Sequence, residues 1–409
     1  MVSKRAFHLP IMTAIPLLGF ASGLPLVLTD STLKLWIQDA KIPIQTIGFF
    51  SLVQLPYNLK FLWAPLLDRY ALPLFGRRRG WLLLSQFLLA LALCAMALGD
   101  PAGKLSILAA LAFGVAFVSA SQDTVTDAWR TEILPRTQQA TGTTTHIFAY
   151  RIGILLASAG ALAIADRWGW SCTYLLMGLA MALGPIGTLL ADEPASIAAP
   201  RTLKEAVMEP FRDFLTRRGA LWALAFIVLY KVGDQLANSL ASNFLRQVGY
   251  SKTLLGGVMK GVGLPSLIIG GYLGAYLMNR WTLRKALLIF GCLQIASILV
   301  LLLPLATGPR VPSLMAAIAL ENLGFGMGVS AYMTLIMRMC NLRFTATQFS
   351  LLTSLAALPR TLLAAPAGIA AKALGWPAYF IICALAALPG LALLAWYESW
   401  GVPEPPPSE

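Results

Sequence analysis

Twelve apolar runs, each close to the roughly 20 residues a helix needs to cross a bilayer, constrain this chain more than anything else in it. They lie near 10–33, 44–66, 80–98, 105–129, 141–165, 171–191, 219–244, 253–277, 283–304, 312–337, 346–371 and 376–397. Hydrocarbon offers the backbone no water, so such runs are predicted to close their own hydrogen bonds as helices. Only 12% of the residues are charged, about half the share of a soluble domain. The expected class is an all-α, multi-pass membrane protein, with the lipid bilayer as its first partner.

The net charge is +13. In a chain of spans it is expected to reflect cationic cytoplasmic loops, and no nucleic-acid partner is expected. With both termini cytoplasmic, 18 Lys and Arg fall on the cytoplasmic side against 8 opposite. Residues 192–218 form the longest polar stretch and divide the chain nearly in half. The halves echo each other. Ala140-Thr-Gly, Tyr150-Arg151 and Trp168-Gly-Trp170 in the first match Ala346-Thr-Gln, Pro359-Arg360 and Gly375-Trp376 in the second. The expected organisation is an N-terminal six-helix bundle (1–191), a cytoplasmic central loop (192–218), a C-terminal six-helix bundle (219–400) and a short cytoplasmic tail (401–409).

Six plus six spans with a parallel repeat is similar to the plan of the major facilitator superfamily: two pseudo-symmetric bundles with the substrate between them near the midplane. The loop after the second span, Asp68-Arg69 to Gly76-Arg77-Arg78-Arg79, is similar to that superfamily's signature loop. It departs from it in the six residues between Arg69 and Gly76 and in Ala64, where a glycine is usual. Asp68, Arg69, Arg77 and Arg78 are gating-loop candidates, although plain positive-inside charge would also place arginines there. Glycine and proline are dense in spans 1, 8, 10 and 11; close helix packing explains most of them and gating bends a few.

The chemistry lies in the charges left inside the spans: Lys60, Arg151, Lys231, Lys260 and Arg360, with the acids Asp123, Asp127, Asp234 and Glu321. Ionisable groups at that depth need a partner or a water-filled cavity. Lys60 and Lys260 are near enough to span ends to snorkel. Asp123 and Asp127, in Ser119–Trp129, share one helix face, and Lys231 and Asp234 are spaced to pair. Interhelical ion pairs are the competing account of any one of them. Together they leave an excess of positive charge, which suits a substrate with several carboxylates. Gln122, Asn238, Asn322 and Gln348 add the neutral hydrogen bonders that sugars and peptide amides need. Tyr57, Tyr150 and Tyr230 are candidates to stack on sugar faces, although aromatics in spans more often pack or anchor at the interface. The four acids are the proton-coupling candidates, unranked.

A proton gradient, not a cofactor, is the expected energy source. Gly99-Asp-Pro-Ala-Gly103-Lys104-Leu-Ser106 only approximates a P-loop: it is one residue short before Gly-Lys and has Leu where Ser or Thr belongs. Two histidines, His8 and His146, make no metal motif, and the five cysteines show no CxxC pairing and read as small hydrophobes. No catalytic constellation is visible, so no enzyme is expected. The first apolar run is too long for a cleaved signal peptide.

Gly19-Phe-Ala-Ser-Gly-Leu-Pro-Leu26, Thr46-Ile-Gly-Phe-Phe-Ser-Leu52, Lys60-Phe-Leu-Trp63, Phe75-Gly-Arg-Arg-Arg-Gly-Trp81, Ser119-Ala-Ser-Gln-Asp123, Asp127-Ala-Trp129 and Tyr150-Arg-Ile-Gly153 carry a closer resemblance. So do Val228-Leu-Tyr-Lys231, Gly233-Asp234, Ala286-Leu-Leu-Ile-Phe-Gly291, Glu321-Asn-Leu323 and Ala346-Thr-Gln-Phe349. In these the chain resembles the AmpG-like muropeptide permeases of the major facilitator superfamily. Lys60, Gln122, Asp123, Asp127, Arg151, Lys231, Asp234, Lys260, Glu321, Gln348 and Arg360 fall on matching residue types. The resemblance implies proton-driven import, by alternating access, of N-acetylglucosaminyl-1,6-anhydro-N-acetylmuramyl peptides across the bacterial inner membrane, and a link to β-lactamase induction. A monomer is expected. Some members carry further spans. The tail ending Pro405-Pro-Pro-Ser-Glu409 is too short for one, and the twelve-span core is expected to suffice. The alternative is a facilitator for another bulky anion, such as acetyl-CoA or a siderophore.

Overall fold

A computed structural model describes residues 9–195 and 199–402; the side chains of Leu9, Ile44, Arg360, Thr361, Ala364 and Ala365 lie outside the described residues. The described chain is helical, with one isolated bridge, Leu72 to Gly76, as its sole β pairing. Nine helical stretches among the described residues are long and apolar enough to cross a membrane. One of them, Gln139–Leu190, runs for 52 residues and is broken at Gly169 (φ +79°), so it contains two of the expected spans. The eleventh expected span is the 30-residue helix Thr345–Leu374.

The second span departs from the continuous helix expected. It is a chain of short pieces: Ile44–Phe49, Phe50–Gln54, Leu55–Leu59, Lys60–Leu62 and Ala64–Arg69. Pro56 and Pro65, each in the first turn of its piece, account for the breaks before them, since each removes a backbone donor and crowds the preceding turn, while Pro43 caps the first piece. Lys60 therefore sits in a one-turn 3-10 segment. The seventh span is also in two parts, Ala220–Leu229 and Val232–Val248. The break puts Lys231 at the N-terminus of the second part and Asp234 in its first turn, where a carboxylate meets the positive end of the helix dipole.

The chain gathers into two compact units. The first comprises 1–134, 145–210 and 341–351; the second comprises 135–144, 211–340 and 352–409. In the first, the first and fifth spans cross so closely that a Cβ on Gly23 would collide with the Tyr150 carbonyl. A core of Leu24, Leu28, Leu33, Trp36, Tyr174 and Met177 packs beside that crossing, with the Tyr174 hydroxyl donating to the Leu28 carbonyl (2.8 Å). In the second unit, the eighth and tenth spans cross the same way, Gly270 lying against the Leu323 carbonyl. Its core is built on Phe244, Ile298, Tyr379 and Phe380. Apolar side chains such as Leu98, Leu221 and Ile369 are exposed by more than 70%, which suits contact with lipid tails rather than water.

Candidate functional site

The first charged cluster forms in the first unit because Leu105–Ile133 is one unbroken helix, which stacks Asp123, Asp127 and Arg130 along a face. Arg130 Nη2 donates to Asp127 Oδ1 at 2.8 Å, and Lys60 Nζ stands 4.0 Å from Asp127 Oδ2. Gln122 is fully buried; its Nε2 donates to Ser22 Oγ (3.3 Å) while its Oε1 accepts nothing among the described residues. Asp123 Oδ1, Tyr57 Oη and Ser119 Oγ are likewise buried with no well-formed hydrogen bond among the described residues, although Ser119 and Thr29 stand near the Tyr57 hydroxyl, and Ser22 and Lys60 near the Asp123 carboxylate. Tyr57, Tyr150, Arg151 and Asp127 lie within electrostatic range of this cluster. Arg151 itself is exposed. Buried polar atoms without partners are rare, and four of them gather in this cluster.

The second cluster, in the second unit, is closed. Lys231 Nζ lies 3.4 Å from Asp234 Oδ2 and 4.6 Å from the centre of the Phe325 ring, a cation–π contact. Asn238 Nδ2 donates to Asp234 Oδ1 (3.3 Å) and to Glu321 Oε1 (3.0 Å). Asn322 Nδ2 supplies the other Glu321 oxygen, Oε2, at 2.8 Å. Lys231, Asp234 and Glu321 are each at most 6% exposed, and one lysine and two amides bind their carboxylates.

The basic loop forms a third assembly. Arg78 is fully buried. Its guanidinium reaches Asp68 Oδ1 (2.7 Å) and Glu132 Oε1 (2.5 Å) and donates to the Leu67 carbonyl, the fork geometry for which arginine is suited. Arg77 adds a second contact to Glu132 (3.3 Å). Asp68 in turn accepts from Ala346 N (3.1 Å), Thr347 N (2.8 Å) and Thr347 Oγ1 (2.7 Å). A carboxylate thereby caps the start of Thr345–Leu374, satisfying backbone donors that a helix leaves free. Glu193 does the same for Arg77–Met96, accepting from Arg78 N and Arg79 N. Arg69 Nη1 donates to the Pro200 carbonyl (3.1 Å).

Gln348 and Lys260 stand apart from these assemblies, Tyr230 borders the second within electrostatic range of Asp234, and Arg360 cannot be placed among them. Gln348 is buried, its Nε2 donating to the Pro210 carbonyl (3.0 Å) and its Oε1 accepting from Asn341 N (2.7 Å); its amide serves the backbone. Tyr230 donates its hydroxyl to the Leu287 carbonyl (3.0 Å) and stacks on Tyr332 at 5.7 Å. Lys260 is exposed, within the wide turn Met259–Gly263. Arg360 lies in Thr345–Leu374, but its side chain falls outside the described residues. Glu132, Glu193, Arg130, Ser22 and Thr347 are additions that sequence reasoning missed. Glu132 had a signal: an acid nine positions beyond Asp123, at the mouth of a triple-arginine loop, needs a cation.

The comparisons agree with this architecture. The Major Facilitator Superfamily family model matches residues 11–364. The chain is 47% identical over 393 residues to an anhydromuropeptide permease of Escherichia coli K12, covering 95% of this chain and 80% of that protein. It is 32% identical to "Putative transporter AmpG 4" of Rickettsia felis, covering 92% and 94%. Among solved structures it resembles the major facilitator transporter FucP (TM-score 0.70, 16% identity, covering 96% and 99%) and the proton:xylose symporter XylE (TM-score 0.69, 12% identity, covering 97% and 96%); at those identities the likeness speaks for the fold alone. This chain is a multi-pass membrane transporter that belongs to the major facilitator superfamily and, within it, to the AmpG family of permeases.

Proposed function

We propose that this transporter imports N-acetylglucosaminyl-1,6-anhydro-N-acetylmuramyl peptides across a bacterial inner membrane by proton symport, feeding peptidoglycan recycling and through it β-lactamase induction. The relative at 47% identity is named for anhydromuropeptides. The substrate has peptide carboxylates, an amine, and sugars rich in hydroxyls and amides, so it needs cations, acids and amides in one path. Lys60, Arg151, Lys231, Lys260 and Arg360, with Gln122, Asn238 and Asn322, are the binding set. The proton gradient replaces a cofactor. The chain acts as a monomer with both termini cytoplasmic, its six-helix bundles at 1–191 and 219–400 joined by the loop 192–218.

The observation that carries the coupling is Asp123. One of its carboxylate oxygens is buried and unpartnered, on the same helix face as the Arg130-bound Asp127. A carboxylate so placed can take a proton in one conformation and release it in another at modest structural cost. Asp127 and Asp234 lie beside cations, and Glu321 is held by amides. The contacts of Asp68 with Ala346 and Thr347, locked by Arg78, are the gate that alternating access must break.

Uptake of radiolabelled anhydro-muropeptide into membrane vesicles, with competing unlabelled acetyl-CoA or ferric siderophore, tests the reading. Competition by muropeptide alone supports it. Competition by either other anion at equal concentration replaces the substrate.

A further inference from the structure

An open groove of about 790 Å³ lies away from both charged clusters, within the second unit, with six of its nine lining residues exposed. It falls inside the span of about 300–1,000 Å³ typical of small-molecule sites. One wall is the C-terminal stretch of Val232–Val248, with Asn243, Arg246 and Gln247; the other is the end of Thr345–Leu374 and the turn after it, with Lys372 and Trp376. Among the described residues, the lining holds two cations, two amides and one indole, and no carboxylate. Trp376 Nε1 donates to Gln247 Oε1 at 2.8 Å, which leaves the Gln247 amide N–H groups available as donors. Phe244 packs on the indole at 5.3 Å, fixing its orientation. The groove is open along the backbone: a Cβ added at Gly368 or Gly375 would meet nothing within 4 Å. Gly375 (φ +77°) turns the chain sharply, which brings Lys372 and Trp376 to the same groove.

This chemistry suits an acidic glycopeptide. Two cations hold carboxylates, amides serve acetamido and hydroxyl groups, and an indole supports a sugar face. The groove lies on the same helix as the closed cluster but on its opposite face, since Leu240, Asn243, Arg246 and Gln247 are turned roughly 120–240° from Asp234. Asp234 and Arg246 are twelve residues apart on Val232–Val248, about 18 Å along the axis at 1.5 Å per residue. Arg246 and Lys372 both fall on the side that the charge bias sets opposite the cytoplasm.

We propose that this groove is a capture subsite, which holds the carboxylate-bearing part of an acidic glycopeptide on the side opposite the cytoplasm. The inference rests on the function proposed above, and the test separates the two. The full-length protein, wild type and Arg246→Gln/Lys372→Gln, is reconstituted into proteoliposomes and gradient-driven uptake is measured against concentration of radiolabelled anhydro-muropeptide. The same proteins in detergent are titrated with that glycopeptide and with its carboxyl-amidated form. The double variant is expected to raise the half-saturating concentration about tenfold, with maximal rate within about twofold, as loss of two rim charges costs roughly a factor of ten. Wild type is expected to bind the amidated form more weakly, and the double variant to bind both forms alike. Gly368→Leu, which narrows the groove without a backbone clash, is expected to raise the half-saturating concentration too. An unchanged half-saturating concentration in the double variant, or a fall in maximal rate alone, overturns the subsite and leaves the importer standing. Glycopeptide binding that depends on both cations, in a wild type that transports none of it, removes the importer and keeps the subsite. No binding by the wild type removes both.

Discussion

The two charged clusters are built from the same residue types and solve the burial of charge in opposite ways. In the second unit, Lys231, Asn238 and Asn322 bind the carboxylates of Asp234 and Glu321, with both oxygens of Glu321 accepting from amides. In the first unit, Arg130 holds Asp127, Lys60 stands off at 4.0 Å, and Asp123 keeps an unpartnered oxygen. A satisfied network fixes geometry; an unsatisfied one, costly in a low dielectric, persists where the vacancy is used. On the function proposed above, the first cluster is the candidate to change protonation, and the second the candidate to hold a shape for substrate.

The largest effect that separates them is expected from Asp123→Asn, with gradient-driven uptake falling by at least about 100-fold while exchange of substrate across a vesicle at equilibrium survives, because a neutral amide fits where the protonated acid fits but cannot release a proton. Asp68→Asn sharpens the contrast. It puts a donor where Ala346 N, Thr347 N and Arg78 already donate, and removal of one partner from a buried ion pair costs about 3–5 kcal/mol. Uptake and exchange are expected to fall together, and a lowered unfolding temperature is expected beside them. Glu321→Gln is expected to raise the half-saturating concentration about tenfold, since its new amide must face the Asn238 or the Asn322 donor, at about 1–3 kcal/mol for a buried mismatch. Retained gradient dependence in that variant would confirm the division; its loss would break it. Asn322→Ala leaves Glu321 Oε2 as bare as Asp123 Oδ1, and a smaller rise of about threefold is expected from one lost hydrogen bond.

The smallest effect is expected at Glu205, outside both clusters and outside the spans. The backbone N–H of Arg201, followed by the Arg343 guanidinium, holds its carboxyl below the usual carboxylate range. A depressed carboxylate lends stability above its unfolded-state value of about 4.3 and loses it only as pH falls further. Glu205→Gln is therefore expected to change uptake less than about twofold between pH 5.5 and 7.5 for an exposed ion pair, measured as uptake against pH.

What was legible in the sequence followed local spacing. Asp123 and Asp127 four apart, Lys231 and Asp234 three apart, and the Arg77-Arg78-Arg79 run each fix a neighbourhood by local geometry alone. The apolar runs told the fold. What was not legible depended on distant pairing or on competition. The contact between Asp68 and Thr347 spans 279 positions, and no periodicity announces it. Gln348 looked like a cavity amide because Gln is costly in a span, yet the same cost is met by the Pro210 and Asn341 backbone. Span length hid the fracture of the second span, although Pro56 and Pro65 signalled it. Which acids would be satisfied turned on whether an asparagine stood across the gap, as Asn322 does for Glu321 and none of the described residues does for Asp123 Oδ1.

The central claim is that proton movement through Asp123 drives muropeptide import. The most direct measurement is uptake of radiolabelled anhydro-muropeptide into vesicles with and without an imposed proton gradient, for wild type and Asp123→Asn side by side. The account predicts gradient-stimulated uptake by wild type, and none by the variant, with equilibrium exchange preserved. Gradient-stimulated uptake by Asp123→Asn at the wild-type rate would contradict it.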